Sequence, residues 1–400
     1  MSALPPPLQR RFVDAGGREH SSLLGAVGPE ARFDPQGVTD LLAWGHPVGP
    51  HTVFASISWA DAPPWLLPAP SPHPSELGPD ARADALWDLL CEAVARRPAG
   101  EVGAALSGGL DSRAVALALR EGQPAAQCFT FGDSGAVDLG RARLVARRLG
   151  LRHLVSALPL DAALLEERRV FEATGGLGGP AAAPGAFTDR SWSGDIDVLL
   201  SGMSGDVIWG DTALRGPGSA SRLRKLGAGV ASDPVVHVPP APPWATPAGV
   251  VAWQNLWTRQ ARVTWNGILP RLAYTAVVPV CWDPELLSFC LALDGVDRNG
   301  RALLRRMLAR HGREVDPEVV PGVTGPVHDL DRAMSTSPAW RRELDHMIGG
   351  RERWDALGLR PRGVARILRL VRDGKRARSG LVSRLRVLWM WGERLGLGSG

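Results

Sequence analysis

The sequence predicts an α/β protein: a parallel sheet with helices on both faces, a helical C-terminal half and a short β-rich N-terminal segment. Three observations carry this. Between residues 80 and 201, apolar segments of strand character alternate with segments of helical spacing, the pattern of a parallel sheet whose crossovers are helices. Beyond residue 249 helical spacing dominates, as in VVAWQNLWTRQARVTW and RALLRRMLARH. Before residue 75 the apolar stretches are short, as in HTVFASISWA, and proline clusters such as PAPSPHP separate them, which reads as a few strands and then a linker.

The elements follow in order. ARADALWDLLCEAVARR has apolar residues at helical spacing, and EVGAAL reads as a buried strand running into glycines. AQCFTFG is a strand, DLGRARLVARRLG an amphipathic helix with a glycine stop, RHLVSAL a strand, DAALLEERRVFEATGG a helix and IDVLLSG a strand. In such sheets ligands sit beyond the carboxyl ends of the strands. Residues 211–248, rich in Gly, Ser and Pro, read as a long loop. The tail RGVARILRLVRDGKRARSGLVSRLRVLWMWGERL reads as basic amphipathic helix. Its expected role is to pack an apolar stripe with the arginines in solvent; docking of a peptide, a membrane surface or a partner is the alternative. Trp253, Trp257 and Trp265 fall at helical spacing and are expected in the core, and His153 is expected to be structural.

Composition narrows the function. At 400 residues and 44% apolar, the chain can bury one or two ordinary cores. The apolar runs fall short of a membrane span, and MSALPPPLQRRF lacks the apolar segment of a secretory signal, so the expected location is cytoplasmic. Cys91, Cys128, Cys281 and Cys290 are scattered, so neither a disulfide framework nor a zinc site is implied and core thiols are expected. The charge of +5 is spread along the chain and suits a phosphate-rich small ligand as well as nucleic acid. Only Lys225 and Lys375 are lysines; the other cations are arginines, which keep their charge when buried and grip phosphate in a bidentate way.

Two stretches carry chemistry. In ALSGGLDSRAVALAL, Ser107, Gly108, Gly109, Leu110, Asp111 and Ser112 join a strand to a helix. That context leaves unpaired N–H groups at a helix start, with glycines that let an anion come close. The loop is not of the Walker type, since GxxxxGK[ST] is absent and no lysine is near. The hydroxyls of Ser107 and Ser112 can add donors, whereas Asp111 would repel phosphate unless Mg²⁺ lies between them. The loop is therefore expected to hold the pyrophosphate portion of a nucleotide, with magnesium. In LLSGMSGDVIWG, a second strand ends in a Gly/Ser turn containing Ser201, Gly202 and Gly205, whose single acid, Asp206, is placed to share that magnesium with Asp111.

SGGLDS resembles the PP-loop of ATP pyrophosphatases, which cleave ATP between the α and β phosphates and transfer AMP to a substrate oxygen. LLSGMSGDVIWG resembles the LSGxGxDExxGG element of class B asparagine synthetases and their relatives, the β-lactam synthetases and lasso-peptide cyclases. FTFGDSGAVDLGRARLVARRLGLRH is similar to the family's adenosine-binding strand, acidic residue and helix, which implies ATP contacts for Thr130, Phe131 and Gly132. VVPVCWDPELLSFCLAL is similar to PFLDxELVEFALxL, and GRALLRRML to GKxLLRxA, which puts Arg301 at the pyrophosphate-binding lysine and Arg305 at the conventional arginine. Arg113 either reaches the phosphates or caps the helix. The resemblance covers roughly residues 80–320. It implies an adenine nucleotide alpha hydrolase-like fold, ATP and Mg²⁺ as cofactors, Asp111 and Asp206 as magnesium ligands, and these two with Arg301 as the catalytic set.

The departures shape the expected function. The family's amino-terminal cysteine nucleophile has no counterpart at Ser2, and no cysteine precedes Cys91. Residues 1–75 are thus expected to be a truncated remnant of the glutaminase-like domain with a linker, 76–330 the synthetase domain and 331–400 a basic helical extension, without glutaminase activity. Met203 and Val207 stand where the second motif carries glutamates, and Ala276 and Val277 where an acid precedes PFLD. The implied reaction is attack of a substrate carboxylate on the α-phosphorus of ATP, followed by attack of an amine on the acyl-adenylate. Three functions are compatible: an ATP-dependent amide ligase, a cyclase closing a lactam or macrolactam, and a non-catalytic nucleotide-binding relative. The substrates would be small-molecule or peptide carboxylates and amines, with ammonia free or delivered by a partner protein, and no nucleic acid partner is expected.

Overall fold

A computed structural model of the chain describes residues 5–60, 65–133, 136–192, 194–210, 238–316, 328–375 and 378–398. Most of the predicted 211–248 loop, residues 211–237, lies outside the described residues; from 238 the chain runs into the helix Pro247–Asn255.

Five strands form the central sheet: β4 (Val102–Ala105), β5 (Gln127–Gly132), β6 (Arg152–Ala157), β7 (Val198–Ser201) and β8 (Ala276–Pro279). Their order is β6-β5-β4-β7-β8, and every neighbouring pair is parallel. The chain moves outward from β4 to β6, then returns to place β7 on the other side of β4. The connections therefore reverse direction between β4 and β7, and the crevice beyond the carboxyl ends of those two strands is where a doubly wound sheet takes its ligand. β4 is built from small residues, and Gly103 is required there because a Cβ would lie 2.3 Å from the Phe129 ring on the adjacent strand.

The crossover after β4 is the helix Leu110–Gly122, whose residues Leu110 and Ser112 through Leu119 are all buried. It packs against the helices Pro79–Ala95 and Ala302–His311. The helix Val137–Leu149 packs on β5 and β6 and ends at Gly150 in the left-handed conformation, as the glycine stop predicted. Trp253, Trp257 and Trp265 lie in this core, and the four cysteines are free, three buried and Cys91 half-buried.

A second core joins the two ends of the chain. Three short antiparallel strands, β1 (Phe12–Val13), β2 (Glu19–His20) and β3 (Ser58–Trp59), pair in the order β2-β1-β3. Phe12, Phe54 and Trp59 share one apolar cluster with the C-terminal helices Pro338–Gly349, Pro361–Arg372 and Ser379–Arg394. Within the stretch before residue 75, where the short apolar segments predict a few strands and a linker, Pro35–Trp44 is instead a helix. Asp34 caps it by accepting from the N–H groups of Gln36 and Gly37, and Pro35 occupies the first turn. Residues that punctuate loops were here a helix start.

The basic tail is two helices rather than one, broken at Asp373 and Gly374, whose φ is +65°. Arg362, Arg366 and Arg369 face solvent as expected. Arg386 does not: it is buried, its Nε donates to both Glu167 carboxylate oxygens at 2.9 and 3.0 Å, and it forms an ion pair with Glu343 at 2.6 Å. Burial raises the Glu167 pKa even with Arg386 beside it.

A pH dependence follows from His46, which is buried and bonded through Nδ1 to the Pro47 carbonyl at 2.8 Å. Burial first, and then the charges of Arg262, Arg384 and Arg259, push its pKa from 6.5 down to about 3. The unfolded chain binds this proton more readily than the folded one, so stability is full above the unfolded value and is lost as pH falls below it. Between pH 6.5 and 4 the loss is on the order of 3 kcal/mol for this one group. His153, pushed down to about 4 by burial and by Arg143, acts in the same direction. Urea denaturation from pH 7 to pH 4.5 is expected to show falling stability, with a shallower slope in His46→Gln.

Candidate active site

The first wall of the crevice is the turn after β4. Leu106 still pairs with β5, donating to the Phe129 carbonyl at 2.8 Å, and the chain then turns through Ser107 and Gly108. Gly108 has φ +75°, and a Cβ there would fall 2.6 Å from the Arg141 side chain and 2.9 Å from the Ala142 nitrogen, so both conformation and space require glycine. The helix beginning at Leu110 has Gly109 as its N-cap and no side-chain cap. Its first N–H groups therefore keep their affinity for an anion.

The loop serines hold the turn itself. Ser112 Oγ accepts from the Ser107 nitrogen at 3.1 Å and donates to the Gly109 carbonyl at 3.1 Å. Ser107 Oγ lies 3.1 Å from Ser112 Oγ and accepts from the Gly109 nitrogen at 3.3 Å. Thr130 is tied likewise, to the Leu106 carbonyl and to His153 Nε2.

The second wall is the turn after β7. Glycine at 202 lets this turn lie against the Asp111 backbone, since a Cβ would come within 3.0 Å of the Asp111 carbonyl carbon. At Gly205 a Cβ would meet the Asp111 carboxyl carbon at 2.6 Å. Between them Ser204 takes φ +71° and is fixed from two sides, donating to Gln260 Oε1 and accepting from Trp282 Nε1. The two turns mesh, and this brings the Asp206 charge to bear on Asp111.

Arg301 closes the group, donating from Nη1 to Asp111 Oδ1 at 2.9 Å. It takes a left-handed conformation, φ +60°, directly after Gly300 at φ +55°. A non-glycine residue in that region stores strain and is held there by its surroundings. Burial, moderated by Arg301 and reinforced by Asp206, pushes the Asp111 pKa up to about 7.

The resulting cleft holds about 250 Å³ and is bordered by Ser107, Gly109, Asp111, Ser112, Thr130, Phe131, Ser201 and Gly202. Of the other predicted residues, Gly108 and Leu110 shape the first turn, Gly205 and Asp206 the second, and Gly132 ends β5. Arg305 is exposed and braces the Arg301 turn through the Gly300 carbonyl at 2.9 Å. Arg113 is fully buried behind the loop, with bonds to the Gly108 carbonyl at 2.8 Å and the Val315 carbonyl at 3.3 Å. It fastens the loop to the turn Arg313–Val315.

Two acids were not singled out in the sequence. Asp138 borders the cleft, its pKa raised by burial. Asp133, just past the end of β5, accepts from the Asp329 nitrogen at 2.9 Å and orients His328 through Nδ1 at 2.7 Å, leaving the buried His328 Nε2 without a hydrogen-bond partner. An acid following a predicted strand end was the available signal for Asp133; nothing local marked its partner 195 residues away.

Among the described residues no group of three or more His, Cys, Asp or Glu side chains converges as a metal cage. Asp111, on the cleft, and Asp206, whose charge acts on it, are a donor set of the kind that suits Mg²⁺, which takes one or two carboxylates together with substrate phosphates. Burial first, and then the Asp206 charge, raise the Asp111 pKa against the opposing charge of Arg301.

The sequence profile of the asparagine synthase family matches residues 85–311. The chain belongs to this family. The matched span contains both turns, Asp111, Asp206, Arg301 and all five strands of the parallel sheet. Curated relatives include proteins of Mycobacterium bovis and of two strains of Mycobacterium tuberculosis, each named "Putative asparagine synthetase (glutamine-hydrolyzing)" and 34% identical over 138 residues. That alignment covers 32% of this chain and 21% of each relative, so the asparagine synthase homologue described here spans about a fifth of their length.

Proposed function

We propose that this asparagine synthase family member is an ATP-dependent amide ligase that forms AMP. The observation that supports the reading is the meeting of Asp111, Asp206 and Arg301 at an uncapped helix start in the crevice between β4 and β7. The uncapped N–H groups of the loop bind the β and γ phosphates of ATP, and the glycines let them approach. Held by Asp111 and Asp206, Mg²⁺ would supply charge neutralisation for the pyrophosphate. Arg301, bonded to Asp111 in the ligand-free arrangement, turns its charge to the departing pyrophosphate. A substrate carboxylate oxygen forms a bond to the α-phosphorus as the bond from that phosphorus to the bridging oxygen breaks. An amine then attacks the acyl carbon; the C–N bond forms, AMP leaves, and the amine gives up a proton.

Met203 borders the cleft at the second turn. Its thioether cannot take a proton, and this favours a substrate whose amine arrives on the same molecule, hence the lactam or macrolactam cyclase reading within the same chemistry. An amine or ammonia supplied by a partner protein is the intermolecular form of the reaction. No helix among the described residues is long and apolar enough to cross a membrane, and the proposed reaction takes place in the cytoplasm, where ATP is abundant.

The test supplies Mg-ATP with pools of carboxylates and amines and follows nucleotide products. AMP and pyrophosphate that require a carboxylate support adenylation, and ADP with phosphate would overturn it. Nucleotide binding without turnover in any pool would favour the non-catalytic relative. In the productive pool, Arg301→Gln is expected to lower kcat about a hundredfold with a smaller change in the KM for ATP, because its charge acts mainly on the leaving group. Arg301→Lys is expected to recover part of the loss, measured as pyrophosphate release.

A further inference from the structure

The residue packed against the glycine turn is itself a cation. Arg141 lies near the start of the helix Val137–Leu149, and a Cβ at Gly108 would fall 2.6 Å from the Arg141 Cβ and 3.1 Å from its carbonyl carbon. Gly108 immediately precedes Gly109, the N-cap of the helix Leu110–Gly122, which has no side-chain cap. The stem of Arg141 is therefore anchored beside the loop, and the guanidinium extends from there on flexible methylenes.

The guanidinium is held loosely. Its ion pair with Asp138 spans 3.8 Å from Nη1 to Oδ1, beyond hydrogen-bond reach, and each of the two side chains keeps 13% of its surface exposed. Asp138 borders the cleft, so the pair places the guanidinium next to a cleft residue. The other cations of the site are fastened: Arg301 to Asp111 at 2.9 Å, Arg305 to the Gly300 carbonyl at 2.9 Å and Arg113 to the Gly108 carbonyl at 2.8 Å. Unlike these three, Arg141 has no hydrogen bond to the protein among the described residues. Its charge is nevertheless felt at the loop. Burial first, and then Arg141 and Arg305, lower the Arg113 pKa to about 10, so positive charge converges on Gly108 from several side chains. A guanidinium gains more from bidentate bonds to a phosphate than from a carboxylate it does not touch.

We propose that Arg141 is a nucleotide-binding residue, whose guanidinium leaves Asp138 to grip the β and γ phosphates of ATP at the uncapped start of the helix Leu110–Gly122. The inference rests on the reading of this crevice as an ATP site. It gives the loop, which has no lysine near it, a mobile cation of its own. It also assigns a selectivity: a cation at this place rewards the phosphates beyond the α position, so ATP gains from it and AMP does not.

The test is calorimetric titration of the full chain with ATP, ADP and AMP, each with magnesium. Wild type is compared with two neutral replacements, Arg141→Gln and Arg141→Met, with Arg141→Lys and with Arg147→Gln, and circular dichroism checks that each variant folds. Both neutral replacements are expected to weaken ATP binding about tenfold or more and to leave the AMP isotherm unchanged. Arg141→Lys recovers part of the loss, as a point charge without the fork. Arg147 is exposed on the same helix, and its Gln variant, which removes the same charge elsewhere, is expected to bind ATP as wild type does. An equal loss with ADP puts the contact on the β phosphate and a loss confined to ATP puts it on the γ; either supports the proposal. Undiminished ATP binding in the neutral variants, an equal loss with AMP, or an equal loss in Arg147→Gln overturns the proposal alone. A wild-type chain that binds no ATP overturns the reading of the crevice and this inference with it.

Discussion

Asp111→Asn is expected to stop AMP and pyrophosphate release, with turnover lower by about a thousandfold or more, while the folded protein becomes more stable above neutral pH. The carboxylate sits between opposing influences: burial and Asp206 favour its neutral form, and Arg301 at 2.9 Å favours the charged one. Asparagine keeps the shape and an acceptor for Arg301 but brings no charge toward Asp206, so the proposed magnesium site loses a carboxylate without losing its packing. The stability effect has a definite sign. The folded pKa of about 7 exceeds the ordinary 3.8, so the stability this group contributes is present below 3.8 and is lost as pH rises through 7. Asp111 has 20% of its side chain exposed, and water tempers the shift to a cost on the order of 2 kcal/mol at pH 8. Denaturation midpoints of variant and wild type should therefore agree near pH 4 and separate at pH 8, the variant being higher. A variant that still releases pyrophosphate at the wild-type rate would remove Asp111 from the mechanism. One that is less stable at pH 8 would show that Arg301 outweighs burial.

The parts of this arrangement that could be read from sequence are those in which cause and effect lie close along the chain. Val102 to Gly122 contains a strand, a turn that only glycine can make and a helix start without a cap, so this wall of the candidate site is written in about twenty residues. The alternation from β4 to β7 is equally local, because each strand and helix shows its own period. Arg301 was found by resemblance, but its left-handed backbone and its bond to Asp111, 190 residues away, are set by tertiary packing. Arg386 failed as an exposed cation because its helix face meets Glu167 and Glu343, and no local pattern announces a buried ion pair across 219 residues. Pro35–Trp44 was hidden because proline and glycine in a first helical turn look like loop residues until the Asp34 cap is recognised. The second core is the extreme case: its apolar residues come from both ends of the chain, and periodicity says which faces are buried but not against what.

Trp391→Ala is expected to be the most destabilising single change in that second core, at about 4 kcal/mol. The indole is completely buried, donates to the Gly176 carbonyl at 2.9 Å and meets Phe54 and Phe171 edge-on, with ring centroids 4.8 and 5.2 Å away. Each contact reaches a different part of the chain: Phe54 in the N-terminal segment, Phe171 in the helix after β6, and Gly176 in the loop that follows it. Gly176 is shaped for this side chain, with φ +89° and room for no Cβ, which would stand 2.2 Å from the indole. Truncation thus removes apolar burial, two aromatic contacts and a buried hydrogen bond, and leaves a cavity the neighbours cannot fill. Trp391→Phe keeps much of the packing and loses the N–H donor, so a smaller loss, on the order of 2 kcal/mol, is expected. Urea denaturation of Trp391→Ala, Phe54→Ala and the double variant should reveal a coupling of about 1 kcal/mol between the two rings. Strict additivity would mean that the N-terminal segment is not seated on the C-terminal helix. Coupling would show that the two ends of the chain stabilise each other, and that the loop containing Gly176 is held in place by both.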